Sequence, residues 1–296
     1  MLETLNLLEG FDLRAMGWNS PAYIHTLAEA LKLAYAARDA YYADPRFVPE
    51  PRALLTKEYA ARRRALIAPS ASLEFRPGEL DGQPGFHPSR SVTLRVDIDD
   101  ELMARDTTCV TAIDKDGWIF SATPSGAWLP SVIAGDTGIP LTQRAQSFYL
   151  LEGHPNELAP GKRPRITLSP TLVTRDGRPF AALSTPGGDN QDQSLLQLLL
   201  NAIEFGMNPQ RAAEAPRFQT RHLVSSFDNH GMSPGDLLLD ERIPEQTAAE
   251  LKQRGHRTGR RSRYASGAAP VMILFRDNGV LEAGADPYGY RSARAW

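Results

Sequence analysis

The stretch that most constrains this chain runs from Arg105 to Gly117. Cys109 to Ile113 reads as a strand, and Asp114-Lys115-Asp116-Gly117 after it supplies the carboxylates and the glycine that a tight turn uses. Trp118 to Ala122 is a second strand of similar length, so the two are expected to pair as an antiparallel hairpin. Two adjacent threonines, Thr107 and Thr108, stand at the start of the first strand. One reading of them is structural, because β-branched side chains suit a pleated surface. The other is chemical. If the Asp106–Thr107 bond were cut, Thr107 would carry both a hydroxyl nucleophile and an α-amine, of pKa ~8, able to act as its base.

A length of 296 residues suffices for one large layered domain or two smaller ones. The net charge of -2 arises from 33 basic and 35 acidic residues and gives no electrostatic reason to bind nucleic acid or an anionic membrane. Cys109 is the single cysteine, which excludes an intrachain disulfide framework and a cysteine-rich metal site. The six histidines, at 25, 87, 154, 222, 230 and 256, show no ligand spacing and are read as surface or structural. No metal and no cofactor are expected. The chain has neither a signal-like start nor eighteen consecutive apolar residues, so a cytoplasmic location is expected, unless Met1 is not the natural start.

Residues 1–66 read as helical. Asn19-Ser20-Pro21 supplies a cap and a proline for a helix from Ala22 to Tyr42, whose Ile24, Leu27, Ala28, Leu31, Ala34 and Tyr35 mark one buried face. A second helix is expected from Lys57 to Ile67, with Tyr59, Arg62, Arg63 and Arg64 on a solvated basic face. Prolines and glycines punctuate 68–105, which is either a flexible linker or an extended surface wrap.

Beyond Thr107 the pattern is β-rich. A strand is expected within Ser131 to Gly138, a hairpin of Thr171–Thr174 and Phe180–Ser184 about Asp176-Gly177, and a closing pair at Val271–Phe275 and Val280–Ala283. Helices are expected at Ser194–Phe205, Asn208–Pro216 and Pro244–Gly255. Thr185-Pro186-Gly187-Gly188-Asp189 precedes the first of these. It is either an ordinary glycine turn or a set of backbone N–H groups aimed at an oxyanion, and the absence of a following lysine excludes a nucleotide loop.

Five blocks in order resemble the gamma-glutamyltranspeptidase-like family of the N-terminal nucleophile (Ntn) hydrolases. They are Asp106-Thr107-Thr108 with its strand, Ala134-Gly135-Asp136-Thr137-Gly138, Gly161-Lys162-Arg163-Pro164-Arg165 with Ser169-Pro170-Thr171, Thr185-Pro186-Gly187-Gly188, and Gly284-Ala285-Asp286-Pro287. The upstream Leu5-to-Glu9 block, Arg38 and Asp44-Pro45 resemble the end of that family's large subunit.

The resemblance implies an α+β fold, the four-layer αββα Ntn-hydrolase sandwich, incomplete at its N-terminus. Residues 1–106 would form the end of a large-subunit-like segment and 107–296 the small-subunit-like catalytic segment, together one structural domain. It also implies a polypeptide that cuts itself between Asp106 and Thr107. Thr107 would then be the nucleophile, Thr108 its supporting neighbour, Ser125 a hydroxyl steadying the amine, and Gly187 and Gly188 the oxyanion donors. The missing N-terminal portion normally contributes an arginine that holds the substrate carboxylate.

Departures from the family pattern bear on substrate. Ser147 stands where gamma-glutamyl enzymes place an acidic residue, and Ile166-Thr167 replaces a pair of serines. Loss of a charged partner for a buried ammonium should weaken gamma-glutamyl recognition strongly. With Arg144 and Asp189 these positions form the expected substrate-binding set, Arg144 either receiving a carboxylate or forming a surface ion pair. The expected function is an autoprocessing threonine-nucleophile amide hydrolase or acyltransferase with non-standard acyl recognition. Its partners would be a small amide or gamma-glutamyl-like substrate, water or an amine as acceptor, and another copy or a separate N-terminal half. The alternative is a catalytically silent family member serving as an interaction module.

Overall fold

The computed structural model describes residues 1–87, 107–127, 131–227, 229–265, 267–289 and 291–295. In chain order, these hold helices α1 (Leu2–Leu8), α2 (Leu13–Met16), α3 (Pro21–Tyr41) and α4 (Lys57–Arg64), then strands β1 (Val110–Ile113), β2 (Ile119–Ala122), β3 (Thr171–Arg175) and β4 (Arg178–Ser184). There follow α5 (Gln191–Ile203), α6 (Pro209–Glu214), β5 (Phe218–Thr220), β6 (Asp236–Asp240), α7 (Glu245–Gln253), β7 (Arg257–Arg261), β8 (Val271–Phe275) and β9 (Leu281–Ala285). The described residues separate into two compact units. One is drawn from Met1–Ile98, Arg144–Ile166 and Phe218–Arg260, the other from Asp99–Gln143, Thr167–Arg217 and Arg261–Trp296.

The first unit is built on α3. Ser20 caps it, its Oγ accepting the Tyr23 N–H at 3.1 Å, and Pro21 occupies the first turn. The single buried face expected of this helix is corrected by the structure: α3 is buried nearly all round. Its polar residues are enclosed because they find partners inside, Lys32 Nζ donating to Glu29 at 2.5 Å and the Tyr149 hydroxyl to Asp39 at 2.6 Å. The solvated basic face of α4 is likewise corrected. Tyr59 and Arg63 are buried, because the chain after α4 folds back over them and presents the Pro77 carbonyl to Tyr59 and the Arg76 carbonyl to Arg63.

That returning segment is a wrap as far as residue 87. Gly78 O accepts from the Tyr41 hydroxyl at 2.8 Å and Phe86 N donates to Ala40 O at 3.1 Å, while Leu80 joins the cluster of Ala37, Ala40, Tyr41, Leu54 and Tyr59. The three-stranded sheet β5-β6-β7 was not foreseen. β5 is three residues long, too short to show a period of two.

The second unit contains the expected hairpin, β1 paired antiparallel with β2, and a four-stranded sheet in the order β3-β4-β8-β9. A bulge falls between Val173 and Thr174. Helix α5 buries Leu195, Leu196, Leu198, Leu199 and Leu200 and packs on β4, while α6 packs on β8 and β9. The strand expected within Ser131 to Gly138 does not form. Only an isolated bridge joins Ile133 to Pro140, because Thr137 Oγ1 donates back to Ala134 O at 2.6 Å and curls the chain into a turn. Among the described residues no helix is long and apolar enough to cross a membrane.

Candidate active site

The hairpin in the second unit brings Thr107 and Ser125 together. Its register pairs Val110 with Ala122 and Ile113 with Ile119. Continued outward, the same register sets Thr108 opposite Pro124, and the Thr108 N–H donates to the Pro124 carbonyl at 3.2 Å. One step further Thr107 faces Ser125, and their hydroxyl oxygens lie 2.7 Å apart. The turn sets this register. Asp114 Oδ1 accepts the N–H groups of Asp116 and Trp118, each at 2.9 Å, and Gly117 takes a φ of 86° that few other residues tolerate.

Alternation then sorts the two faces. Thr107 is buried while Thr108, Val110 and Ala112 are exposed. On the face shared with Thr107, Thr111 Oγ1 lies 2.8 Å from Ser184 Oγ at the end of β4, and Ser121 Oγ donates to Leu183 O at 3.3 Å. Burial pushes the Cys109 thiol up, against the pull of Ser184 and Arg291, so the cysteine beside the threonines is not primed as a thiolate.

Three residues past Ser184 the chain reaches Gly187 and Gly188, both buried. Gly187 has a φ of 127°, and a Cβ there would run into the Gly267 carbonyl, so only glycine fits. Thr185 Oγ1 ties this tract to the chain before β8, accepting the Ala269 N–H at 3.1 Å. Gly188 opens a 3-10 turn to Asn190 that leads straight into α5, so the glycines lie at the positive end of a long helix. Asp189 lies half-buried in that turn. Thr167 is buried in the same unit, and its carbonyl accepts from Ser169 Oγ at 3.1 Å.

Arg144, Ser147 and Ile166 belong to the first unit. Arg144 is buried, with its guanidinium 5.2 Å above the Phe227 ring, and so is not a surface ion pair. Ser147 is buried, and Ile166 is half exposed. A cavity of about 710 Å³ in this unit is lined by Tyr42, Leu55, Arg144, Arg163, Pro164 and Ile166, among others. At its edge Arg46 and Arg163 both bond Asp44 and hold its carboxyl well below the usual range. Asp106 lies outside the described residues.

Sequence reasoning missed Arg291. Its guanidinium donates to Thr108 Oγ1 at 2.9 Å and approaches the Thr107 carbonyl at 3.4 Å. It follows the Gly284-to-Pro287 block in a stretch that carries no pattern, so no sequence signal marks it.

The first unit also buries polar clusters. His25, Glu29 and His256 bring possible ligand atoms within 4.8 Å of one another. His25 Nε2 faces the Ala68 carbonyl at 2.7 Å and so carries a proton. Its Nδ1 then accepts from His256 Nε2 at 2.8 Å, and Glu29 is taken by Lys32 and Arg76. Two cations at the carboxylate make this a hydrogen-bonded core rather than a metal-ligand set. Burial lowers the His25 pKa and brings that of His256 to about 3. Elsewhere in the unit, burial opposes ionisation of Asp39, yet His154 at 3.8 Å, Arg165 at 3.5 Å and the Tyr149 hydroxyl outweigh it and hold its pKa low.

The family model for gamma-glutamyltranspeptidase matches residues 1–296. The chain is 35% identical over 286 residues to the Acylase ACY 1 proenzyme of Pseudomonas sp. (strain V22), covering 96% of this chain and 45% of that protein. It is 35% identical over 240 residues to the glutathione hydrolase proenzyme of Pseudomonas sp. (strain A14), covering 76% and 38% respectively. A solved structure described as LmbA2991HD superposes with a TM-score of 0.87 at 36% identity, over 97% of this chain and 50% of that one. The chain thus spans about half the length, or less, of these relatives.

The mixed α/β architecture is that of the Ntn hydrolases. Within that class the chain belongs to the gamma-glutamyltranspeptidase family, a family of amide hydrolases and acyltransferases.

Proposed function

We infer that this chain is the nucleophile-bearing part of an autoprocessing amide hydrolase or acyltransferase. The observation that carries this reading is the 2.7 Å contact between Thr107 Oγ1 and Ser125 Oγ at the mouth of the hairpin. Cleavage between Asp106 and Thr107 begins with attack of the Thr107 hydroxyl on the Asp106 carbonyl carbon. The new C–O bond forms as the C–N bond breaks, the hydroxyl proton passes to the nitrogen, and water hydrolyses the ester. Thr107 is left with a free α-amine, and segments 1–106 and 107–296 stay associated. That amine then takes the hydroxyl proton as Thr107 attacks a substrate amide, and gives it to the leaving amine. Gly187 and Gly188 N–H groups stabilise the oxyanion, Ser125 steadies the nucleophile and its amine, and water or an amine releases the acyl group. The names of two relatives, both called proenzymes, support processing of this kind.

For the acyl group we favour a carboxylate-bearing chain other than gamma-glutamyl. Ser147 and Ile166 remove the charge and hydroxyl that would hold a gamma-glutamyl head group, while the buried Arg144 offers a guanidinium to a carboxylate. That a relative is called an acylase agrees with this preference.

The intact mass of the purified protein tests the reading. Two fragments meeting at Asp106/Thr107, absent in Thr107→Ala, are expected. A wild-type chain that stays whole under all conditions would overturn it in favour of an interaction module. Release of p-nitroaniline from gamma-glutamyl and glutaryl anilides then tests specificity, with glutaryl expected to be preferred and Arg144→Ala to erase that preference.

A further inference from the structure

The geometry points to Arg291 as a positioning residue for the nucleophile, a clamp that holds the first two residues of the catalytic strand from the face opposite Ser125. This inference rests on Thr107 acting as proposed above. Cutting the chain before Thr107 would make the nucleophile a chain terminus, where strands fray and side chains lose their orientation. The β1–β2 ladder begins at Val110, and beyond it the Thr108 N–H donates to the Pro124 carbonyl at 3.2 Å. A reacting hydroxyl has to be held to within a few tenths of an ångström, so a contact that fixes the start of this strand bears directly on turnover.

Arg291 is placed to supply such a contact. One arm of its guanidinium donates to Thr108 Oγ1 at 2.9 Å and the other approaches the Thr107 carbonyl at 3.4 Å, so a single planar group spans the side chain of one residue and the backbone of the other. The arginine is itself anchored. Its N–H lies 3.4 Å from the carbonyl of Asp286, which is fully buried just after β9. The Asp286 carboxylate accepts from Arg217 at 2.5 Å and from the Tyr288 N–H at 2.8 Å. The end of the chain is thereby fastened to the start of the catalytic strand within one unit. A lysine would present its donors from a single nitrogen on a flexible stem rather than as a planar fork, and so fits the two acceptors less well.

The test compares wild type, Arg291→Ala, Arg291→Lys and Thr107→Ala as full chains. It reads intact mass, melting temperature, and kcat and KM for glutaryl p-nitroanilide, with and without added guanidinium ion. Arg291→Ala should lower kcat about 10- to 100-fold with KM and melting temperature little changed, as expected for a misplaced nucleophile. Arg291→Lys should recover part of the loss, and guanidinium ion should raise kcat of Arg291→Ala but not of wild type. Wild-type kcat in Arg291→Ala would overturn the inference. So would a loss that follows a lowered melting temperature and responds to neither lysine nor guanidinium. A wild-type chain as inert as Thr107→Ala would overturn both this inference and the function beneath it, so the two failures are told apart by the wild-type reading alone.

Discussion

The Thr107 hydroxyl lies at hydrogen-bonding distance from Ser125 Oγ, and the chemistry proposed for the site depends on what surrounds that pair. Thr107→Ser should keep both self-cleavage and acyl release, whereas Ser125→Ala should keep the cut and lower turnover about fivefold. One hydrogen bond to a reacting hydroxyl contributes on the order of 1 kcal/mol, which is about fivefold in rate. Gly187→Ala should fail more severely. The added methyl would meet the Gly267 carbonyl, so the loop must shift, and overpacking of this kind costs about 1–3 kcal/mol. Displacing an oxyanion donor should remove about 100-fold or more from kcat. Melting temperature and turnover measured on the same protein separate the two effects. The glycine pair could be read from sequence as a feature, but its requirement for glycine could not, because the obstructing Gly267 carbonyl lies 80 residues away in the chain.

The hairpin shows how an element turns local sequence into a site. Asp114-Lys115-Asp116-Gly117 sets the register of β1 on β2, and that register alone brings position 125 opposite position 107. Deleting Lys115 should therefore move the partner of Thr107 by one residue and turn the face of one strand, leaving the chain uncut. Asp114→Ala, which removes two hydrogen bonds to the turn but no residue, should leave the cut intact and lower stability by about 1–2 kcal/mol. Intact mass and thermal denaturation distinguish the outcomes. Elements with strong local signals were legible: α3 with its Ser20-Pro21 start, the two hairpins, and Val271–Phe275. Those without them were not. The three residues of β5 carry too little pattern, and the Ser131-to-Gly138 stretch, which reads as a strand, is curled by the Thr137 side chain.

At the scale of the molecule, opposing buried groups set the dependence of stability on pH. Burial brings the His222 and His256 pKa values to about 3, from the ordinary 6.5, and lowers that of His25. The unfolded chain then binds more protons than the folded one between about 3 and 6.5, so stability is complete above 6.5 and lost as pH falls through that window. Glu3 acts in the opposite sense. Burial raises its pKa from 4.5 to about 8, so its contribution is complete below 4.5 and lost as pH rises through 8. With three histidines against one carboxyl, these groups place the maximum of melting temperature near pH 6.5. Glu3→Gln should raise the melting temperature at pH 8 and leave it unchanged at pH 4.5. A scan of both proteins from pH 4.5 to 8 checks the two signs. The sequence by itself determined the helix starts, the hairpin turns, the candidate nucleophile and the glycine pair, because each depends on residues close together in the chain. Only the tertiary structure decided that Arg291 reaches Thr108, that Arg144 is buried over Phe227, and that His25, Glu29, Lys32 and Asp39 of α3 lie inside. Those outcomes depend on which distant groups satisfy a buried donor or charge, and the spacing of residues along the chain carries no record of that.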